Sequence, residues 1–348
     1  MKRATLTKSA LQTVLTAAGA ILLSLLGLSA IAQYDNKYIT KAAPAQGQVY
    51  MIPEKGYCSL VNGWELYPDV LLTPDELFAE APAHYTTWAG EYPNLALFHE
   101  DKNPYGVSTW RLRLRGNGNV LLYLPEPLCA ARVYVNGICL GQTGDVSPAH
   151  YAPLIRDSAY AFTLDGEAEL VIQTANHSHY YGGIWYAPVI GTADSVSRLI
   201  AARMFLYGLL LFSSLTLALF CIALWEHRED GSKTATFYFG MLSLSFALRI
   251  CYPFLRLPGV PFVRVLYAVE DAAAVSGIYF SMQIALLLFL PKSKNSVIAR
   301  RLRKGLRALT LGACAAVVLV PLFVLPAIPG LVMWYGPLVS WYKAIMAL

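Results

Sequence analysis

One stretch of the sequence combines hydrogen-bonding and aromatic side chains in a way that suits sugar binding. Residues 176–186 read Asn-His-Ser-His-Tyr-Tyr-Gly-Gly-Ile-Trp-Tyr. Amide and imidazole groups can hydrogen-bond hydroxyls, and aromatic rings can stack on the apolar face of a sugar ring. The stretch lies between two predicted strands, where loops commonly meet ligands. We therefore predict a ligand site at Asn176, His177, His179, Tyr181 and Trp185, with a purely structural connection as the alternative.

The polar residues in and near this stretch allow two further interpretations. Asp145 follows a predicted hairpin and is a candidate for bonding sugar hydroxyls, although solvation of a loop is the favoured explanation. His177 and His179 would share one face of an extended stretch, which suggests metal binding. Zinc requires three or four protein ligands, and no nearby Cys, Asp or Glu completes the set. We therefore predict no metal and no cofactor.

A second set of chemically active residues lies in apolar sequence. Glu270 and Asp271 fall about eight residues into one predicted membrane helix, and Arg249 lies about six residues before the outer end of the preceding one. These depths match. Because an unpaired charge inside a membrane is costly, we predict that Arg249 pairs with Glu270 or Asp271. The pair is either a static structural contact or a bistable link that reports the state of the outer domain.

The elements that must hold the loop are strands. Trp110–Arg115 alternates apolar and basic residues, which places Trp110 on a buried face and the arginines on a wet one. Asn136-Gly137 separates two apolar runs and predicts a two-residue hairpin turn. Turns are also predicted at Gly116–Asn119 and at Asp165-Gly166. The remaining predicted strands are Val120–Leu124, Tyr160–Leu164, Ala168–Thr174 and Ile184–Ile190. This spacing indicates an all-β sandwich or jelly roll.

Several of these motifs occur together in known families. Val133-Tyr134-Val135-Asn136-Gly137, followed by Leu140-Gly141 and Tyr151-Ala152-Pro153, resembles the galactose-binding-like jelly roll of the β-galactosidase superfamily. With Tyr105–Arg111 before it and Gly182-Gly183-Ile184 and Gly191 after it, the order resembles bacterial seven-transmembrane receptors with diverse intracellular signalling modules. The shared motifs cover about residues 105–191 and mark the fold better than any ligand. The segment that follows these motifs is predicted to be helical, as in the receptors, and not a catalytic barrel, as in the β-galactosidase superfamily.

The charge distribution divides the chain into two parts. Residues 33–197 carry 17 acidic and 9 basic residues, whereas residues 198–348 carry 5 acidic and 15 basic ones. The second part contains five apolar stretches long enough to span or nearly span a bilayer, at about 200–225, 235–255, 262–290, 308–328 and 331–348. Residues 291–307 hold seven basic residues and no acid, which places this loop in the cytoplasm and residues 33–197 outside.

The first 32 residues support the same orientation. Lys2, Arg3 and Lys8 precede an apolar run that ends near Ala30 and Ala32. This pattern is typical of a secretory signal peptide, with an uncleaved signal anchor as the alternative. Either way, the positive end stays in the cytoplasm and the following segment crosses the membrane.

The sequence thus predicts a multi-domain membrane protein: residues 1–32 as signal, 33–197 as an all-β jelly-roll domain in the periplasm, and 198–348 as an all-α transmembrane bundle in the bacterial inner membrane. The resemblance implies a receptor that binds a carbohydrate or similar small polar ligand and signals to a cytoplasmic output module. That module and two helices are missing, so we expect a truncated chain.

Other functions and partners follow from the same residues. No Gly-x-Ser-x-Gly or His-Glu-x-x-His motif is present, and we predict that the chain itself is not an enzyme. The alternatives are a membrane enzyme that modifies envelope polysaccharide through Glu270 or Asp271, and a transporter or assembly subunit. The predicted partners are the periplasmic ligand and the lipid bilayer, with a second copy of the chain left open and no nucleic acid.

Overall fold

The structure is a computed structural model that describes residues 49–74, 84–229, 233–289 and 297–347, together with Ala45, Gln46 and scattered positions between 11 and 29. Those scattered positions are helical. The basic residues of the predicted signal sequence and its cleavage site near Ala30 and Ala32 lie outside the described residues.

Ten strands of the described chain form one connected sheet, in which every pairing is antiparallel except that between β2 and β6. In chain order the strands are β1 Ala45–Gln46, β2 Val49–Met51, β3 Tyr57–Ser59, β4 Trp64–Pro68, β5 Tyr85–Thr87, β6 Gly106–Leu124, β7 Ala130–Val135, β8 Ile138–Thr143, β9 Ser158–Asn176 and β10 Val189–Gly191. One edge of β6 pairs with β9, and its other edge pairs in turn with β4, β2 and β10.

The two longest strands overturn two predicted turns. β6 and β9 have 19 residues each and pair along their whole length, so Gly116–Asn119 lies within one strand and Asp165-Gly166 within its partner. Positive φ angles of 100° at Gly118 and 80° at Gly166 bend the strands without reversing them. The Oδ1 atom of Asn117 accepts a hydrogen bond from the Gly166 backbone N at 2.9 Å. Each predicted pair of short strands is therefore one bent strand.

The hairpin between β7 and β8 confirms its prediction. Asn136 and Gly137 have φ angles of 48° and 80°, the two positive values that a type I′ turn requires. Val135 pairs with Ile138, and a bulge beyond Tyr134 shifts the register. The predicted strand Ile184–Ile190 is wrong in extent, because only Val189–Gly191 is a strand.

The β domain has one main apolar core, to which most of its strands contribute. Trp110 is 2% exposed, as its alternation predicts, and its ring lies edge-on to Trp64 with the centroids 6.4 Å apart. On the opposite face Arg113 and Arg115 are exposed as predicted, but Arg111 is buried, which corrects the prediction for that residue. Arg111 Nε donates to Glu169, and its Nη1 lies 3.3 Å from Glu65 Oε2. Alternation along β6 could not show this, because the two acids belong to β4 and β9, which lie beside β6 in the sheet but far from it in the sequence.

Apart from the three-residue segment Leu325–Ala327, six α-helices follow the sheet in the described chain: α1 Ala193–His227, α2 Lys233–Ile250, α3 Tyr252–Arg256, α4 Val263–Phe289, α5 Val297–Leu319 and α6 Val332–Ala347. Within the described chain, three helical segments are long and apolar enough to cross a membrane, namely Ala193–His227, Lys233–Arg256 and Lys304–Ala327. The β domain and the helical region are thus separate along the chain, as predicted. The first helix begins at Ala193 and not at the predicted domain boundary of 198, so Thr192 alone joins it to β10.

Helix α5 begins at Val297, eleven residues before its predicted start at 308. The basic residues from Arg300 to Arg307 therefore lie on helical turns, since Arg, Lys, Leu and Ala are all good helix formers. Residues 291–296 of the predicted loop lie outside the described chain. Arg307 Nη2 donates to the hydroxyl of Tyr238 in α2 at 3.0 Å, which joins the middle of α5 to the second turn of α2. A π-helical turn, Val320–Val324, follows where Pro321 removes a backbone donor.

Candidate functional site

The β domain is packed against one end of the helices through several apolar clusters. Leu128 and Ile155 of the β domain pack with Val263 and Tyr267 of α4, and the backbones of Ile155 and Val260 exchange two hydrogen bonds of 3.0 Å. Separate clusters join Tyr180 to Tyr335 of α6 and Tyr123 to Val196 of α1. These contacts fix the orientation of the sheet relative to the helix ends.

A cavity of about 460 Å³ lies at this junction, a size within the usual range for small-molecule sites. It will be called the junction cavity, and its walls come from both parts of the chain. Of the predicted site residues, the structure brings together Tyr181, Trp185, Arg249, Glu270 and Asp271 on its walls. Two sets of residues that the sequence placed in different compartments thus belong to one site.

Asn176 holds the loop between β9 and β10 in shape and does not line the junction cavity. Its Nδ2 donates to the carbonyls of His179 and Tyr181, at 2.7 and 3.2 Å. Its Oδ1 accepts from the backbone N atoms of Ser178 and His179, at 3.2 Å each. With only 6% of its surface exposed, Asn176 is a structural residue, and the loop that it shapes directs Tyr180, Tyr181 and Trp185 to the cavity.

The two predicted histidines also lie outside the cavity wall. His179 is 2% exposed, and its ring stacks between Tyr180 and Tyr267, with centroid distances of 4.1 and 4.3 Å. Burial lowers the pKa of His179 to about 3, and the positive charge of Arg264 adds to the effect. The ring of His177 packs edge-on against Tyr151 at 5.0 Å, and burial lowers its pKa too.

Asp145 belongs to a different loop. Its backbone exchanges two hydrogen bonds with Ala152, its Oδ1 accepts from the Ser147 backbone N at 2.9 Å, and the same atom lies 4.0 Å from Arg132 Nη2. These contacts close a turn, and Asp145 is not among the residues that line the junction cavity.

The charged residues predicted within the helices are paired. Arg249 Nη1 lies 2.9 Å from Glu270 Oε1, which is one of the two pairings predicted from matching depth. The neighbouring acid has other partners: Asp271 Oδ1 lies 3.0 Å from Lys343 Nζ of α6, and its Oδ2 accepts from the Tyr180 hydroxyl at 2.9 Å. The second contact ties the predicted ligand loop directly to α4.

Sequence reasoning missed the most deeply buried charges of the junction. Arg256 of α3 bonds the carboxylate of Glu126, and its Nε lies 3.4 Å from Asp157 Oδ1. Asp157 in turn accepts from the Tyr123 hydroxyl at 2.7 Å and the Glu126 backbone N at 3.0 Å. Burial raises the pKa of Glu126 to about 7 against the opposing effect of Arg256. One signal was available, since Glu126 stands between Pro125 and Pro127 at the end of a strand.

Arg264, at the start of α4, makes a further connection to the loop. Its guanidinium donates to the backbone carbonyls of Ser178 and His177, at 2.5 and 3.3 Å. The loop is thus bonded to α4 at both its beginning and its middle. A change in the position of the loop must therefore break these hydrogen bonds or displace α4.

No metal centre is found in the part of the chain that the structure describes, since no three His, Cys, Asp or Glu side chains there group as ligands. The junction cavity combines aromatic walls with paired charges, an arrangement suited to binding an organic molecule with hydroxyl groups.

Comparison with known proteins gives limited information. No protein-family model and no curated protein matches the sequence. Similar solved structures include a GH2 beta-galacturonidase from Eisenbergiella tayi bound to glycerol, with 13% identity over 46% of this chain and 26% of that chain and a TM-score of 0.29. A putative beta-galactosidase from Bacteroides fragilis has 18% identity over 38% of this chain and 22% of that chain, with a TM-score of 0.30. The Bacteroides uniformis beta-glucuronidase has 13% identity over 38% of this chain and 17% of that chain, with a TM-score of 0.32. The chain spans about a quarter or less of these proteins, and likeness at this level carries no conclusion about function.

Proposed function

We propose that this chain is the sensing part of a bacterial membrane receptor and that the junction cavity is its ligand site. The observation that carries the proposal is that the β domain and the helices line one cavity together. A ligand bound there contacts both parts, so its affinity depends on how they are placed against each other. Such differential affinity is the physical requirement for a ligand to shift a conformational equilibrium.

The proposed ligand is a carbohydrate or a related small polar molecule. Tyr181 and Trp185 offer aromatic faces on which a sugar ring can stack. Glu270 and Asp271 each contact a basic side chain and retain lone pairs that accept from hydroxyls. Each of the three acids on the wall has a basic partner, which is compatible with an uncharged ligand. Arg203 is a fourth basic residue on the wall.

The proposed signal passes along the helices from the periplasmic side to the cytoplasmic side. The β domain would lie in the periplasm and the basic turns of α5 in the cytoplasm, as the distribution of basic residues predicts. The loop contacts α4 through Arg264 and Asp271, and β10 continues into α1 through Thr192 alone. The resemblance to seven-transmembrane receptors with intracellular signalling modules supports an output module in the cytoplasm.

The test uses the full chain in phosphatidylcholine nanodiscs and measures its thermal unfolding midpoint with methyl glycosides of glucose, galactose, mannose and N-acetylglucosamine. We expect at least one glycoside to raise the midpoint, since a ligand at 100 times its Kd stabilises by about 2.7 kcal/mol. Trp185→Ala should abolish the shift. Trp225→Ala, at the far end of α1, is the matched control and should retain it.

Three results would contradict the proposal. One is the absence of any shift with a neutral sugar while a charged metabolite produces one. Another is an equal loss of the shift in both tryptophan variants. The third is chemical turnover of the bound glycoside, which would favour the alternative of a membrane enzyme that acts on polysaccharide.

A further inference from the structure

The junction cavity extends from the β domain along the helices. On α1 its wall includes Arg203, Leu206 and Leu210, which lie on one helix face. Seven residues of α-helix correspond to about 10 Å of depth. On α2 the wall includes Phe246 and Ile250. Both helices are among the segments long and apolar enough to cross a membrane.

The chemistry of the wall changes along this depth. Its part next to the β domain is polar and aromatic, with Glu126, Tyr181 and Trp185. Leu206 and Leu210 of α1 and Phe246 of α2 form an apolar part of the wall along the helices. Charged side chains line the helical part as well, namely Arg203, Arg249, Glu270, Asp271 and Lys343. A ligand that fills the whole cavity therefore contacts both polar groups and an apolar strip.

Two residues on the helical wall of the cavity are only partly covered. Phe246 is 46% exposed, and the side chain of Arg249, one turn away on the same helix, is 45% exposed. An exposed arginine at membrane depth is costly unless polar groups cover it. Hydroxyls of a molecule that sits in the cavity would supply that cover beyond the single contact with Glu270.

We propose, on the basis of the receptor function above, that the ligand is a membrane amphiphile with an uncharged polyhydroxyl head and an apolar chain. The head lies between Trp185 and the Arg249–Glu270 pair, and the chain lies along Leu206, Leu210 and Phe246. The molecule enters sideways from the outer leaflet. The receptor therefore samples the membrane surface and not only the surrounding fluid.

The test compares methyl and octyl glycosides of glucose and of galactose for binding to the full chain in phosphatidylcholine nanodiscs. We expect the octyl form of the recognised sugar to bind at least about tenfold more tightly, because each buried methylene group contributes to affinity. Octanol, which lacks the head, should not compete. The free sugar and the membrane amphiphile are thereby distinguished as sources of the same head group.

Partition of the octyl chain into the bilayer is controlled by two matched variants. Leu210→Phe fills the apolar end of the cavity and should remove the tenfold advantage while methyl glycoside binding persists. Leu209→Phe makes the same change at a neighbouring position that is 56% exposed and should keep the advantage.

The outcomes separate this inference from the proposed function. Equal affinity for methyl and octyl forms would overturn the amphiphile and leave a receptor for free sugar. An advantage that persists in Leu210→Phe would show simple partition and overturn it as well. If neither form binds in any variant, the receptor proposal fails and the inference fails with it.

Discussion

The buried ion pair between Glu126 and Arg256 should hold the β domain against the helices, and Arg256→Met tests this directly. Both side chains are only 8% exposed, so the substitution leaves a largely desolvated carboxylate without its cation. Asp157 keeps the Tyr123 hydroxyl and a backbone N–H as donors. Among the described residues, Glu126 keeps a long contact of 3.4 Å with the Tyr267 hydroxyl.

The expected loss follows from this geometry. Removing one partner of a buried ion pair typically costs about 3–5 kcal/mol, because the other charge remains desolvated. Replacing both partners in Glu126→Gln with Arg256→Met removes the buried charge and should return stability to within about 1.5 kcal/mol of the parent. The single variant should thus be less stable than the double variant.

The deficit of the single variant should also depend on pH. Burial already raises the pKa of Glu126 to about 7, and loss of Arg256 raises it further. A proton then neutralises Glu126 in the folded state. As the pH falls from 8 to 6 the deficit should shrink by about 1.4 kcal/mol in total, and mostly above pH 7, because below pH 7 Glu126 of the parent is protonated as well.

The assay is urea unfolding of the full chain in nanodiscs, followed by tryptophan fluorescence at pH 6, 7 and 8. Arg198→Met is the matched control, since Arg198 pairs with Asp194 on the surface, where both are more than two-thirds exposed. It should change the free energy of unfolding by less than about 0.5 kcal/mol. The reasoning is refuted if Arg256→Met behaves like this control, or if the two substitutions at the pair are additive.

Three further predictions concern the same junction. The contribution of His179 to stability should fall on acidification, because its folded pKa of about 3 lies below the unfolded value of 6.5; between pH 7 and 5 the parent should lose about 2 kcal/mol relative to His179→Phe in a urea titration, and an unchanged difference would contradict this. Arg249→Met and Glu270→Gln should show a coupling of about 1 kcal/mol in a double-mutant cycle of unfolding, and strict additivity would remove the proposed link. Tyr180→Phe should cost about 1.5–3 kcal/mol, since it deletes a hydrogen bond to the carboxylate of Asp271; an unchanged urea midpoint would show that this contact does not stabilise the junction.

The sequence predicts those features that depend on neighbours along the chain. Asn136-Gly137 forms its turn because the positive φ angles are a local property. Arg249 meets Glu270 because depth in a helix can be counted in residues. The turn predicted at Gly116–Asn119 is wrong because its conformation depends on a distant part of the chain. These residues bend a strand when the 19-residue β9 is available to pair with them.

The junction itself was beyond local reasoning. Glu126 and Arg256 are 130 positions apart, and no periodicity relates a strand end to a short helix. In the loop predicted as a ligand site, the histidines and Asn176 shape the loop from within, while Tyr181 and Trp185 line the cavity. Composition showed that the loop was unusual, and only tertiary packing shows which of its side chains turn inward.

The single residue between β10 and α1 has a mechanical consequence. Thr192 is held at both ends, since its N–H donates to Gly56 O at 3.0 Å and its carbonyl accepts from Val196 N at 3.0 Å. Gly191 lies so close to Gly56 that a Cβ would come within 2.3 Å of that carbonyl oxygen. The sheet and the 35-residue helix are therefore rigidly connected, and a rotation of the sheet tilts the helix with it. At 1.5 Å per residue the helix is about 52 Å long, so a tilt of about 3° moves its far end by roughly 2.7 Å. Helix shifts of about 1–2 Å are enough to switch many proteins.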